Sequence, residues 1–258
     1  MLDIQIQQML EEKTIQYNQL DFIEDDPIYI PHLFTDKKDI EIAGFFSATL
    51  AWGLRKTIIN NGKKLMQMMA YSPYDFIMNA SKEDLKPLEN FKHRTFNGED
   101  LLFFCKSLKN IYTQHQSLEE IFFTNENMLF ENGGHIAKAY DIFFSTPHSK
   151  RTEKHFSNPL KGSAAKRLNM YLRWMVRDDK QGVDFGIWKN LKPSQLFIPL
   201  DVHSGRIARR LGLLKRTQND WQAVKELTNT LQMLDPKDPI KYDFALFGLG
   251  VNEKFDKN

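Results

Sequence analysis

Cysteine is almost missing: Cys105 is the single one in 258 residues. That excludes an internal disulfide framework and a cysteine-ligated iron–sulfur cluster held by one chain. Set in Leu101-Leu102-Phe103-Phe104-Cys105, it reads as a buried thiol. No run of about 18 apolar residues occurs, and the amino terminus lacks a basic stretch followed by an apolar one. These absences point to a cytoplasmic chain with no membrane partner. The seven histidines have no convincing ligand spacing, so no metal site is evident, and no cofactor is expected; a calcium or potassium ion held by backbone carbonyls near Gly162 stays open. There is no internal repeat, no low-complexity tract and no long apolar/polar alternation of the kind a sheet requires.

What is present is helical periodicity with enough apolar residues, 41%, to build a sizeable core. Helices are expected over 3–17, over 39–69 with a break near Gly53, and over 73–79, 82–90, 98–113 and 118–123. Glu131-Asn132-Gly133-Gly134 punctuates the chain before a helix over 135–144. Ser145–Pro159 is a polar connector and reads as a subdomain boundary. Further helices are expected over 163–177, 202–211, 220–234 and 239–249, with a looser stretch over 178–199. The fold class is all-α, read as two helical subdomains flanking a cleft: residues 1–150, and residues 151–258 with a helix-hairpin-helix element.

Net charge is only +2, but it is unevenly spread. Lys161 to Arg216 holds 13 Lys/Arg against 4 Asp/Glu, a surplus of nine, which leaves −7 for the rest. An anionic polymer would seek such a segment, although a solvated helical surface also accounts for it. Within it, Gly162 permits a left-handed backbone at a helix entry, where free N–H groups and the dipole seat a phosphate. Ser163 is a candidate cap. Leu168, Leu172, Met175 and Val176 form a core stripe. Lys166, Met170, Arg173 and Arg177 share another face, where three cations need an anion or acids opposite. Lys166 sits in the first turn, against the helix dipole.

Ile198-Pro199-Leu200-Asp201-Val202-His203 opens the next helix. Asp201 stands at its N-cap, and capping alone explains an aspartate there. A cap also fixes a carboxylate in one orientation. Arg206 and Arg210, four apart, are again tolerable beside an anion.

These two stretches resemble the helix-hairpin-helix DNA glycosylases, the superfamily of endonuclease III and the oxoguanine glycosylases. Leu160, Gly162 and Lys166 match the hairpin motif; Leu200, Asp201, His203 and Arg206 match the second. Lys161 and Ala164 stand where the family has proline and a second glycine. The 35 residues from Lys166 to Asp201 exceed the spacing of compact members, the excess falling in 178–199. Phe45-Phe46-Ser47-Ala48-Thr49 is similar to an early helix that ends beside the DNA. The whole chain resembles more closely still a bacterial family of unknown function, through Ile198–His203 and Asp243-Phe244-Ala245-Leu246-Phe247-Gly248. With no cysteines after its last helix, it resembles the clusterless branch.

The resemblance implies excision of a damaged base from double-stranded DNA. Lys166 attacks C1′ of an extruded nucleotide and forms a Schiff base that permits β-elimination, and Asp201 assists. The backbone at Gly162, Ser163 and Ala165, with Arg173, His203 and Arg206, is expected to hold DNA. Trp52, Phe185, Trp188 and Asp243 are candidates for the base pocket, and each is also explained as core, loop anchor or cap. Two other readings stay open: a non-catalytic helix-hairpin-helix nucleic-acid-binding protein, and a helical protein–protein adaptor.

Overall fold

The computed structural model describes residues 4–123, 133–251 and 253. The fold is all-α. Ten α-helices of seven or more residues occur among the described residues: α1 (Ile4–Tyr17), α2 (Lys37–Leu50), α3 (Arg55–Met68), α4 (Pro73–Asn79), α5 (Gly98–Gln114), α6 (Gly134–Phe143), α7 (Lys166–Val176), α8 (Val202–Arg210), α9 (Trp221–Gln232) and α10 (Tyr242–Val251). Among the described residues there is one hairpin of two-residue strands, β1 (Lys92–His93) and β2 (Phe96–Asn97), paired antiparallel. Glu131 and Asn132, read above as punctuation, lie outside the described residues; Gly133 enters α6 with φ of +72°. No helix among the described residues is long and apolar enough to cross a membrane.

The chain divides into two compact units: Ile23–Ser157, and Met1–Phe22 together with Asn158–Asn258. In the first, α2 is the central helix. Ile42, Phe45, Phe46 and Leu50 recur at helical spacing and are all buried. Their rings meet Phe104 and Phe143: Phe45–Phe143 centroids lie 5.4 Å apart and Phe104–Phe143 4.8 Å apart, tilted or edge-on as ring quadrupoles prefer. Glu41 is buried on the same helix. It is satisfied by the Tyr112 hydroxyl at 2.8 Å, the Leu118 N–H at 3.0 Å and the Ser117 hydroxyl. The expected break near Gly53 is present: α2 ends at Leu50 and Gly53 adopts φ of +114° before α3 begins.

In the second unit α1 docks on α10. The contact is close because Gly248 has no side chain: a Cβ there would lie 2.1 Å from the Tyr17 ring. The polar rim of this contact includes Tyr17–Glu253 at 2.6 Å and Lys241–Glu11 at 3.0 Å. The core stripe of α7 is as expected, with Leu168, Leu172, Met175 and Val176 all buried. Residues 178–199 are largely irregular. They fold back so that the Phe185 and Trp188 N–H groups bond the Trp174 and Met175 carbonyls at 2.7 and 2.9 Å. Those carbonyls belong to the last turn of α7, where no intrahelical donor is available.

Candidate functional site

The site lies within the second unit and begins at the entry to α7. A three-residue 3-10 turn, Pro159–Lys161, leads to Gly162 at φ of +85°. No atom lies within 4 Å of where a Gly162 Cβ would stand, so the backbone conformation alone calls for glycine there. Ser163 then pairs with Asp220 in an isolated antiparallel bridge. Helix α7 starts three residues later than expected, at Lys166, and Ser163 is not its N-cap. The N-cap is Ala165, held at φ of +45° and ψ of +35°, a left-handed conformation costly for a residue with a Cβ. The Ser163 hydroxyl instead accepts the Ala165 N–H at 3.2 Å, a turn closed by a side chain. Asn169 secures the same corner through a 3.1 Å bond to the Ala164 carbonyl.

This geometry puts Lys166 at the first position of α7. Its Nζ lies 3.5 Å from the Met170 sulfur, one turn on, and 3.9 Å from Asp201 Oδ2. Both side chains are open to solvent, 29% for Lys166 and 24% for Asp201, so the pair can be reached. The carboxylate oxygens of Asp201 divide their tasks. Oδ1 caps α8, accepting the His203 and Ser204 N–H groups at 2.8 and 2.9 Å. The Ser204 hydroxyl returns the bond by accepting the Asp201 N–H at 3.0 Å, completing a capping box. Oδ2 is the oxygen that faces the ammonium. The Asn219 amide donates to the Asp201 carbonyl at 2.9 Å, a support no local sequence signal announces.

Behind this pair is an ion network that corrects one expectation. Arg173, read above as a DNA contact, is 3% exposed. Its Nε donates to Asp184 at 3.2 Å and its Nη1 pairs with Asp243. The guanidinium also lies 4.3 Å from the Phe244 ring centroid. Arg177 is equally buried and meets Asp238 at 2.8 Å, Asp184 at 3.0 Å and Asp179 at 2.6 Å. The cations sharing a face with Lys166 are therefore matched by internal acids, because a charge removed from water needs a partner. Burial opposes the charge on Arg177, yet the three aspartates raise its basicity above the ordinary guanidinium value. Burial pushes the Asp243 carboxyl up to about 6, against the pull of Arg173 and Lys166 and helped by the charge on Asp201.

The other candidates separate clearly. His203 and Arg206 are exposed on the first turns of α8, with Arg206 Nη2 3.5 Å from His203 Nδ1. Gly162 is exposed, Ser163 is half-buried and Ala165 is buried. Trp188 is buried with its ring edge-on to Tyr171, 5.4 Å between centroids, so it is core. Phe185 is half-buried beside it in sequence. Asp243 is tied to Arg173 and belongs to the network rather than to an open pocket wall. Trp52 belongs to the other unit, where the Arg94 guanidinium lies 4.4 Å from its ring centroid. Leu160, the apolar residue of the hairpin motif, is 66% exposed; Val202 after Asp201, 68% exposed, is an apolar surface side chain that sequence reasoning missed. No group of three or more His, Cys, Asp or Glu with metal-binding geometry occurs among the described residues.

No curated protein and no solved structure is matched by this sequence. A family model matches residues 26–252, which include Lys166, Asp201 and the network behind them. The chain belongs to the family described as a protein of unknown function, DUF2400.

Proposed function

We propose that this protein is a DNA base-excision glycosylase with an accompanying strand-nicking lyase step. The observation that carries the reading is the approach of Lys166 Nζ to within 3.9 Å of Asp201 Oδ2, between side chains 35 residues apart in sequence. The resemblance to the helix-hairpin-helix glycosylases, Lys166 and Asp201 included, supports it. The solvent access of both groups, the glycine-bearing turn at Gly162 and the exposed His203 and Arg206 add to it.

In this reading the nucleotide is first extruded from the stack. The Lys166 amine, its proton passed to Asp201 or water, attacks C1′. The C1′–N bond breaks and the base leaves with the electron pair and a proton. The sugar ring opens to a protonated Schiff base, loss of a C2′ proton follows, and the 3′ phosphate departs. Asp201 stabilises the cationic sugar as charge develops. Its capped Oδ1 makes it a rigid group that needs no reorientation during the reaction.

Duplexes each carrying one lesion, scored for strand scission, test the reading. Scission of at least one lesion by the wild-type protein, lost in Lys166→Gln, is expected. Binding that falls with salt but never leads to scission or base release would replace it with the non-catalytic nucleic-acid-binding reading.

A further inference from the structure

The turn between α8 and α9 runs directly beside the Gly162 hairpin. The Trp221 N–H donates to the Gly162 carbonyl at 3.1 Å, and Ser163 bridges Asp220. Arg209 stiffens this turn, its Nε on the Arg216 carbonyl at 2.6 Å and its Nη2 on Asn219 at 2.6 Å. Asp220 caps α9 at the hairpin's edge, where a bare carboxylate would repel an anion. Arg216 meets it with Nε at 2.7 Å from Oδ1 and Nη2 on Oδ2. That pairing holds the Asp220 carboxyl down at about 2.

Past this pair opens a recess of about 710 Å³ walled by Lys215, Arg216, Thr217, Gln222 and Lys225. Its one carboxylate, Glu226, is engaged by the Lys215 backbone N–H at 2.6 Å. The wall thus offers three cations with hydroxyl and amide donors, and no large apolar side chain. Such a lining suits neither an apolar ligand nor a stacked base. It suits phosphate oxygens, which are held by charge and by N–H and O–H donors without being read for sequence.

We propose that this recess extends the nucleic-acid track of the hairpin, receiving backbone phosphates of the DNA strand whose reacting nucleotide is held at Lys166. The inference rests on the repair reading for its choice of DNA as partner. Charge complementarity and continuity with the hairpin backbone carry it. Arg216 acts both as a phosphate ligand and as the group that masks Asp220. Lys215 and Lys225 supply charge without fixing any side chain of the catalytic pair.

The test is a Lys215→Gln/Lys225→Gln double variant of the full chain, measured by fluorescence anisotropy on a labelled duplex with a central tetrahydrofuran abasic analogue. A Lys82→Gln/Lys86→Gln control removes the same charge from exposed positions in the other unit. With two phosphate-binding cations neutralised, the slope of log affinity against log salt falls by about 2 and affinity near 0.15 M salt drops ~10- to 30-fold. The ratio between abasic and undamaged duplex stays constant, since groups that bind the backbone carry no sequence information. A slope and affinity equal to the control's would overturn the inference, as would a changed ratio. If the wild type forms no covalent complex with abasic DNA while the double variant still loses slope, the repair reading fails and the track stands. If the wild type forms the complex and the double variant keeps its slope, the track alone fails.

Discussion

Replacing Arg177 by methionine tests whether the arginines behind the site are internal structure or surface ligands for DNA. Methionine keeps most of the volume and removes the charge. Arg177 is 3% exposed and holds three aspartates at 2.6–3.0 Å. Removing one partner of a buried ion pair costs ~3–5 kcal/mol, because the other charge is left without compensation. Two of the acids keep other partners: Asp184 retains Arg173 at 3.2 Å, and Asp179 retains the Gln181 N–H at 3.1 Å. Asp238 loses most, since its carboxyl is already raised by burial even with Arg177 present. A cost of about 4 kcal/mol follows, or a urea midpoint lower by ~2 M at a slope near 2 kcal/mol per M. The pH dependence has a definite sign. Without Arg177 the Asp238 carboxyl rises further above its unfolded value, so its contribution is present at low pH and lost as pH rises through the folded value. The deficit of the variant is therefore largest at neutral pH and narrows on acidification toward pH 4. Urea unfolding followed by circular dichroism at both pH values measures this. A midpoint within ~0.5 M of wild type, or a deficit independent of pH, would refute the reasoning.

Three further outcomes are expected. Asp201→Asn keeps an N-cap and melts like the wild type, while Asp201→Ala loses ~1 kcal/mol; both lose strand scission, which separates the cap from the chemistry, and an active Asn variant would remove Asp201 from the scheme. Asp243 is raised from 3.8 to about 6 in the folded protein, so its stabilising contribution is complete below pH 3.8 and lost as pH rises through about 6. Urea titrations should show the wild type losing stability relative to Asp243→Asn as pH rises from about 4 to about 7; a difference that is flat or grows in the opposite sense would contradict the raised carboxyl. Gly162→Ala meets no atom within 4 Å and costs only the ~1 kcal/mol of a left-handed backbone, whereas Gly248→Ala drives a Cβ to 2.1 Å from the Tyr17 ring. Thermal melts that reversed this ranking would contradict the α1–α10 packing described above.

Much of the helical content is legible because amphipathic spacing is a local property. The stripe at Leu168, Leu172, Met175 and Val176, and that at Ile42, Phe45, Phe46 and Leu50, can be read from periodicity alone. The face shared by Lys166, Arg173 and Arg177 is equally readable, and like charges there demand counter-charges. Which counter-charges is not readable: Asp184 arrives from an irregular loop, and Asp238 and Asp243 from residues about 60–70 positions downstream. Arg173 thus looks like a ligand for DNA in sequence and is a ligand for aspartate in the fold. The start of α7 is misjudged for a related reason. Ser163 has the chemistry of a cap, but its backbone is taken by Asp220, so the helix waits for Ala165. Docking of α1 on α10 depends on a missing side chain at Gly248 facing Tyr17, a pairing no short-range pattern encodes. The approach of Lys166 to Asp201 is legible only through motif resemblance, since the loop between them carries no length rule that would fix their separation.

The most direct measurement is borohydride reduction of the protein incubated with an abasic-site duplex, followed by peptide mapping of the adduct. One covalent protein–DNA complex is expected, with the sugar remnant on Lys166, absent from Lys166→Gln and much reduced in Asp201→Asn. An adduct on a different lysine, or an undiminished yield from Lys166→Gln, would contradict the assignment of Lys166 as nucleophile.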